Sequence, residues 1–173
     1  LKKSDYFIFP SEWAMKYVNY SGENCSVIYN CPMPEFYANR NERIQLPNTP
    51  KIVTHHWSTN VKKGFDLYKK FDDFCNQSGE FEFHYIGQLP DGCSFTNQSS
   101  PMGVDELVNH LPNYDIYLTA SEEEAGANHV LESLAVGLPV VYRDTGGSIP
   151  EYCATAGAEY SDFNNMIQSL REV

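Results

Sequence analysis

Apolar positions along the chain follow two alternating rhythms. Short runs rich in apolar and β-branched residues predict strands at Lys51–Trp57 (KIVTHHW), Phe81–Gly87 (FEFHYIG), Asp115–Ala120 (DIYLTA), Pro139–Arg143 (PVVYR) and Ala158–Tyr160. Between them, Lys62–Asn76 spaces Phe65, Leu67, Tyr68, Phe71 and Phe74 close to a 3.6-residue period, which predicts a helix. Further helices are predicted at Val104–Leu111, at Asn128–Val136 and from an Asp162 cap to Val173, with a helical turn at Ile149–Cys153. Residues 88–102 are rich in Gly, Pro, Ser and Asn and read as a loop holding one short strand, Cys93–Thr96.

Strand–helix alternation of this kind predicts a Rossmann-like α/β fold, a doubly wound parallel sheet with helices on both faces. Ligands of such sheets sit beyond the carboxyl ends of the strands. Three polar clusters fall there: His55–Asn60, Gly87–Pro90 and Ser121–His129. This unit spans residues 51–173. Residues 1–50 read as a lead-in: a strand at Tyr6–Pro10, a Ser11-capped helix over Glu12–Tyr20, a strand at Ser26–Asn30, and a linker from Cys31 to Pro50 holding four prolines. The chain opens at Leu1 inside this pattern, so a fragment of a larger protein is expected.

Composition narrows the function classes. At 173 residues the chain can bury roughly 70% of its unfolded surface, enough for a real core. A net charge of −11 argues against a nucleic-acid surface, which needs a basic face, but leaves room for one nucleotide held by local N–H groups and a cation or two. No apolar run approaches the roughly 20 residues of a membrane span. The five cysteines (Cys25, Cys31, Cys75, Cys93, Cys153) form no CxxC pair, so reduced, mostly buried thiols of a cytoplasmic protein are expected, and no histidine spacing suggests a metal triad. His84 alternates with strand aromatics and is expected to be structural, and His110 to lie on the surface. At least one of His55 and His56 is expected to face the cleft.

The densest candidate chemistry is Ser121-Glu-Glu-Glu-Ala-Gly-Ala-Asn-His-Val-Leu-Glu132. Glu124 lies in a post-strand loop and Glu132 about one turn into the next helix. Between them, Ala125, Gly126 and Ala127 leave room at a helix start whose unpaired N–H groups favour an anion. Carboxylates for hydroxyls beside N–H donors for phosphate suit a sugar diphosphate.

The flanks extend this into a longer pattern. The Asp115–Ser121 strand is followed by Glu-x7-Glu, then Ala135-Val-Gly-Leu-Pro139-Val, then Gly146-Gly-Ser-Ile-Pro-Glu151. In this order the segments resemble the C-terminal, donor-binding domain of GT-B-fold glycosyltransferases, most closely glycosyltransferase family 4, over residues 51–173. Residues 4–40 resemble the crossover into that domain.

The resemblance implies a retaining, metal-independent transferase that takes a nucleoside diphosphate sugar, needs no cofactor and passes the sugar to an acceptor hydroxyl. By the same resemblance Glu124 contacts the transferred sugar, Glu132 the ribose hydroxyls, Lys63 the phosphates, and the turn from Gly87 the base, while Gly146 and Gly147 form a turn near the donor. The glycan, lipid or protein acceptor would be held by an N-terminal domain outside this chain, which in the full enzyme leaves room for peripheral membrane contact.

Departures fall in the same places. The family's arginine five residues before the lysine is Ser58, its Gly-Phe-Gly is Ala125-Gly126-Ala127, and Asn128 and His129 stand for apolar residues, so a more polar sugar pocket is expected. Arg143 is a candidate second cation, and Trp57 could equally stack on a base or sugar or pack in the core. A nucleotide-sugar epimerase, a phosphorylase on the same fold and a non-catalytic nucleotide-binding or interaction domain are the rival readings. No context for a phosphorylase's pyridoxal lysine is evident.

Overall fold

The computed structural model describes residues 5–40, 45–153 and 155–173. Residues 41–44 of the expected linker and Ser4 of the crossover lie outside them. The chain runs β1 (Phe7–Phe9), α1 (Glu12–Tyr17), β2 (Cys25–Val27), α2 (Pro34–Ala38), β3 (Lys51–His56), α3 (Phe65–Ser78), β4 (Glu82–Gly87), β5 (Asn97–Ser99), α4 (Val104–His110), β6 (Ile116–Thr119), α5 (Asn128–Ala135), β7 (Val140–Arg143), α6 (Ile149–Cys153), β8 (Gly157–Tyr160) and α7 (Phe163–Glu172).

Six strands form one all-parallel sheet in the order β5-β4-β3-β6-β7-β8, and β1 and β2 pair separately, also in parallel. The expected fold class is therefore the observed one. The order reverses between β3 and β6, the two strands whose carboxyl ends flank the crevice of a doubly wound sheet. Beyond Val53 these two strands part, for their register covers only Ile52↔Ile116 and Val53↔Tyr117. The Tyr117 hydroxyl fills the gap, accepting from the His55 N–H (3.1 Å) and donating to the His55 carbonyl (3.3 Å).

Each face of the sheet carries its own core. One gathers Val53, Ile86, Tyr117 and Val140 with Leu107 of α4, Val130 of α5 and Ile149 of α6. The other gathers Ile52, Phe83, Leu118 and Val141 with Tyr68 and Phe71 of α3 and Met166 and Leu170 of α7. The periodic positions Phe65, Tyr68 and Phe71 are buried as their spacing requires, and Asp162 caps α7 through the N–H groups of Asn164 and Asn165.

Several boundaries moved. The single helix expected over Lys62–Asn76 is a 3₁₀ turn, Val61–Lys63, and then α3, separated by Gly64 in the left-handed conformation. The strand expected at Cys93–Thr96 is β5 at Asn97–Ser99. Helix α1 stops at Tyr17, and Asn19 turns left-handed at φ 52. The Cys31–Pro50 linker contains α2, which starts on Pro34 and drives Phe36, fully buried, into the main core. Of the cysteines, only Cys75 and Cys153 are buried, and Cys31 is exposed, so mostly buried thiols are not observed. Among the described residues no helix is long and apolar enough to cross a membrane.

Candidate functional site

A cleft of about 360 Å³ opens at the carboxyl ends of β3 and β6, lined by His55, His56, Trp57, Ser58, Lys63, Glu124, Gly126, Asn128, His129 and Glu132. Three segments meet there: the end of β3 with its 3₁₀ turn, the loop after β6, and the first turns of α5. Lys63 projects from the 3₁₀ turn and forms an ion pair with Glu124, both side chains being mostly buried. His55 Nε2 lies 2.8 Å from Glu132 Oε2.

The backbone around Glu124 is tied at every residue. Glu122 N donates to Lys62 O (2.8 Å), Glu123 N to Thr145 O (3.1 Å) and Glu124 N to Gly146 O (3.3 Å), while Ser148 N donates to Glu124 O (2.8 Å). Ser11 Oγ donates to Ala125 O (2.7 Å) and Asn30 Nδ2 to Gly126 O (3.2 Å). Glu123 sits at φ 55, outside the usual range for its type, and its carboxylate pairs with Lys62 and accepts from Tyr17 Oη. Lead-in and domain also meet at Glu151, whose carboxylate accepts from the N–H groups of Glu12 and Trp13 at the start of α1 (3.0 and 2.7 Å).

The remaining expected residues divide. Gly87 lines an adjoining apolar slot with Trp57, Ile86, Pro101, Met102 and Leu107. A Cβ on Gly87 would stand 2.0 Å from the His56 carbonyl, so only glycine lets these strand ends approach. Trp57 is 60% exposed, which rules out the core role open to it on sequence alone. Ala127 is buried at the N-cap of α5, makes no side-chain cap hydrogen bond and does not line the cleft. Gly146 and Gly147 do not line the cleft either: they hold the Glu124 backbone, Gly147 through a β-bridge. Arg143 pairs with Glu122 and lines a separate cleft with Val61 and Phe65, so it does not replace the missing arginine. His84 is tied to Glu82 (2.7 Å) outside the site, and His110 is exposed. The His55–Glu132 pairing was missed, and its one sequence signal was His55 at a strand end.

His56, buried, and His129, partly buried, line the cleft side by side with ring centroids 5.0 Å apart. Burial, reinforced for His56 by Lys63 and His55 and for His129 by His56, Lys63 and His55, holds both imidazoles well below the usual histidine range. Tyr68 Oη accepts from Ala120 N (2.8 Å) and Thr54 Oγ1 (3.1 Å), and burial pushes its hydroxyl up to about 12, so its own proton serves His56 Nε2, 2.9 Å away. The cleft thus carries one lysine, two carboxylates, His55 and the two neutral imidazoles of His56 and His129. Among the described residues no cluster of three or more His, Cys, Asp or Glu is arranged to hold a metal ion.

A pH dependence follows. The unfolded chain takes up protons near pH 6.5 at these histidines and the folded chain does not, so stability is complete above about pH 6.5 and falls on acidification below it. Each histidine contributes about 1.4 kcal/mol per pH unit in that window. Melting temperatures between pH 7.5 and 5 are expected to fall accordingly, and His129→Leu should remove one histidine's share of the slope. An unchanged slope would contradict the assignment.

No family model and no curated protein sequence matches the chain. Solved structures do. Sucrose-phosphate synthase from Thermosynechococcus elongatus superposes with a TM-score of 0.74 at 16% identity, over 99% of this chain and 49% of that one. WaaG, a glycosyltransferase involved in lipopolysaccharide biosynthesis, gives 0.71 at 16% identity, over 95% and 52%. The pneumococcal O-GlcNAc transferase GtfA, in complex with UDP and GlcNAc, gives 0.70 at 14% identity, over 97% and 38%. The chain spans about a third to a half of the length of such proteins. The similarity shows a shared fold, the Rossmann-like half of a GT-B architecture.

Proposed function

We propose that this chain is the donor-binding half of a retaining, metal-independent glycosyltransferase. The observation that carries the reading is the convergence of Lys63, Glu124 and Glu132, from three separate segments, on one cleft at the sheet's switch point. In this reading Glu132 takes the ribose hydroxyls, Lys63 and the uncapped start of α5 take the diphosphate, and Glu124 faces the transferred sugar. Lys63 exchanges its Glu124 partner for phosphate as charge grows on the leaving diphosphate, which is electrostatic stabilisation of the transition state. The departing phosphate assists deprotonation of the acceptor hydroxyl on the same face, and no cofactor takes part.

With one lysine against two carboxylates, the cleft depends on N–H and hydroxyl donors, among them Ser58, in place of a second cation. The base is taken by the turn from Gly87, with the exposed Trp57 at hand for stacking, and the polar lining from Asn128 suits a hydroxyl-rich sugar. The acceptor, a glycan, lipid or protein, belongs to an N-terminal half, which is also where peripheral membrane contact would arise. The two-stranded β1–β2 sheet supports this, because it exposes Ile8, with Ile28 exposed just beyond β2, whereas parallel strands are ordinarily covered on both faces. The working compartment we assign is the cytoplasm, where reduced thiols such as the exposed Cys31 persist.

A thermal-shift panel of UDP, GDP, ADP and their sugars tests the reading. A binding nucleotide at a hundredfold excess over Kd adds about 2.7 kcal/mol, which for a chain of this size raises Tm by roughly 5–10 °C. The isolated chain is expected to bind weakly and transfer nothing. A panel with no shift would overturn donor binding, and robust transfer by these 173 residues would overturn the division of labour.

A further inference from the structure

We infer that His55 is a positioning residue that sets the ribose grip of the nucleotide by holding Glu132. The inference rests on the donor-site reading above and adds to it a residue and a specificity. A carboxylate only accepts, so in the 2.8 Å contact between His55 Nε2 and Glu132 Oε2 the imidazole donates. His55 is itself tightly held. It is 3% exposed, its ring packs edge-on against Tyr117, and its N–H and carbonyl are both tied to the Tyr117 hydroxyl. Glu132 is the opposite case, a flexible side chain on the second turn of α5 and partly exposed at the cleft. Among the described residues His55 is the one side chain recorded as bonding its carboxylate. Fixing one carboxylate oxygen leaves the other to meet a diol at a set angle, the usual gain from supporting a binding group with a locked neighbour. The bond joins the end of β3 to α5, so the grip depends on how that helix packs against the sheet.

The test compares a nucleoside diphosphate with its 2′-deoxy counterpart by calorimetry on the full-length protein, using UDP and dUDP, GDP and dGDP, and ADP and dADP. The wild type is expected to prefer the ribonucleotide about tenfold, the usual share of one charge-assisted hydrogen bond. His55→Phe keeps the ring packing but loses the donor. It should weaken the ribonucleotide and leave the deoxynucleotide nearly unchanged, so that the preference falls below about threefold. His55→Gln, which restores an N–H donor, should regain most of it. A merely structural role would weaken both ligands alike, and that result overturns the inference, as does a preference that survives His55→Phe. If the phenylalanine variant does not fold, long-range ¹⁵N correlation spectra of the wild type decide: an unprotonated Nε2 on His55 at pH 7.5 excludes the proposed donor, and a protonated one supports it. Binding with unaltered discrimination sinks this inference alone, whereas failure of every nucleotide to bind sinks the donor-site reading with it.

Discussion

Replacing Glu124 with glutamine in the full-length protein should lower kcat for glycosyl transfer by about 10²–10³ while leaving the fold and KM for the donor nearly unchanged. The substitution is close in shape, and the loop is held by main-chain bonds from Glu122 to Gly126 that glutamine retains. What is lost is a negative charge. Glu124 is paired with Lys63 at a mostly buried position, and in the proposed reading Lys63 turns to the phosphate while the Glu124 charge is left to face the sugar as its bond to phosphate breaks. Charge that matters only as the bond breaks appears in kcat, whereas uniform binding would appear in KM. Steady-state rates with the donor identified by the thermal-shift panel, beside melting curves of both proteins, separate the outcomes. Unchanged turnover removes Glu124 from the chemistry. A large fall in Tm makes it a structural residue instead.

Much of this architecture is legible in the sequence. The alternation from Lys51 onward is a local property, since each strand needs apolar side chains on both faces and each helix a stripe. Ser11 and Asp162 announced their helices because a cap is read from one residue and its next turn. The cleft was legible for a different reason: in a parallel sheet every strand delivers its carboxyl end to the same edge, so polar clusters after strands must gather there.

What escaped the sequence lay in contacts between distant segments. Phe36 looked like part of a proline-rich linker, yet Pro34 opens a helical turn that delivers it to the core. No residue of the Val61–Lys63 turn opposes a helix running from Lys62, and it is the left-handed Gly64 that separates the turn from α3. The bond from His55 to Glu132 spans 77 residues and the clamp from Glu151 to α1 spans 138, beyond any local pattern. Arg143 was open as a second phosphate cation until Glu122 proved to be its partner.

Gly147 offers the second large effect, and it separates backbone geometry from general stability. It lies at φ 74, and a Cβ there would stand 2.5 Å from both the N and the O of Glu124, its bridge partner. Main-chain atoms cannot swing aside as a side-chain tip can, so Gly147→Ala must push the Glu124 loop or break the bridge. Gly79 is the matched control, because it has a similar φ of 66 at the end of α3 and nothing within 4 Å of the added methyl. Both alanines pay the left-handed cost of roughly 1–2 kcal/mol. Only the first should also misplace the carboxylate, where a shift of about 1 Å can cost on the order of 10²-fold in rate. The expected pattern is a modest fall in Tm with full turnover for Gly79→Ala, and a larger fall with at least a hundredfold loss of kcat for Gly147→Ala, measured on folded protein. Equal turnover in the two variants would mean that the 145–148 turn does not position Glu124, and that the main-chain bonds joining the two loops serve stability alone.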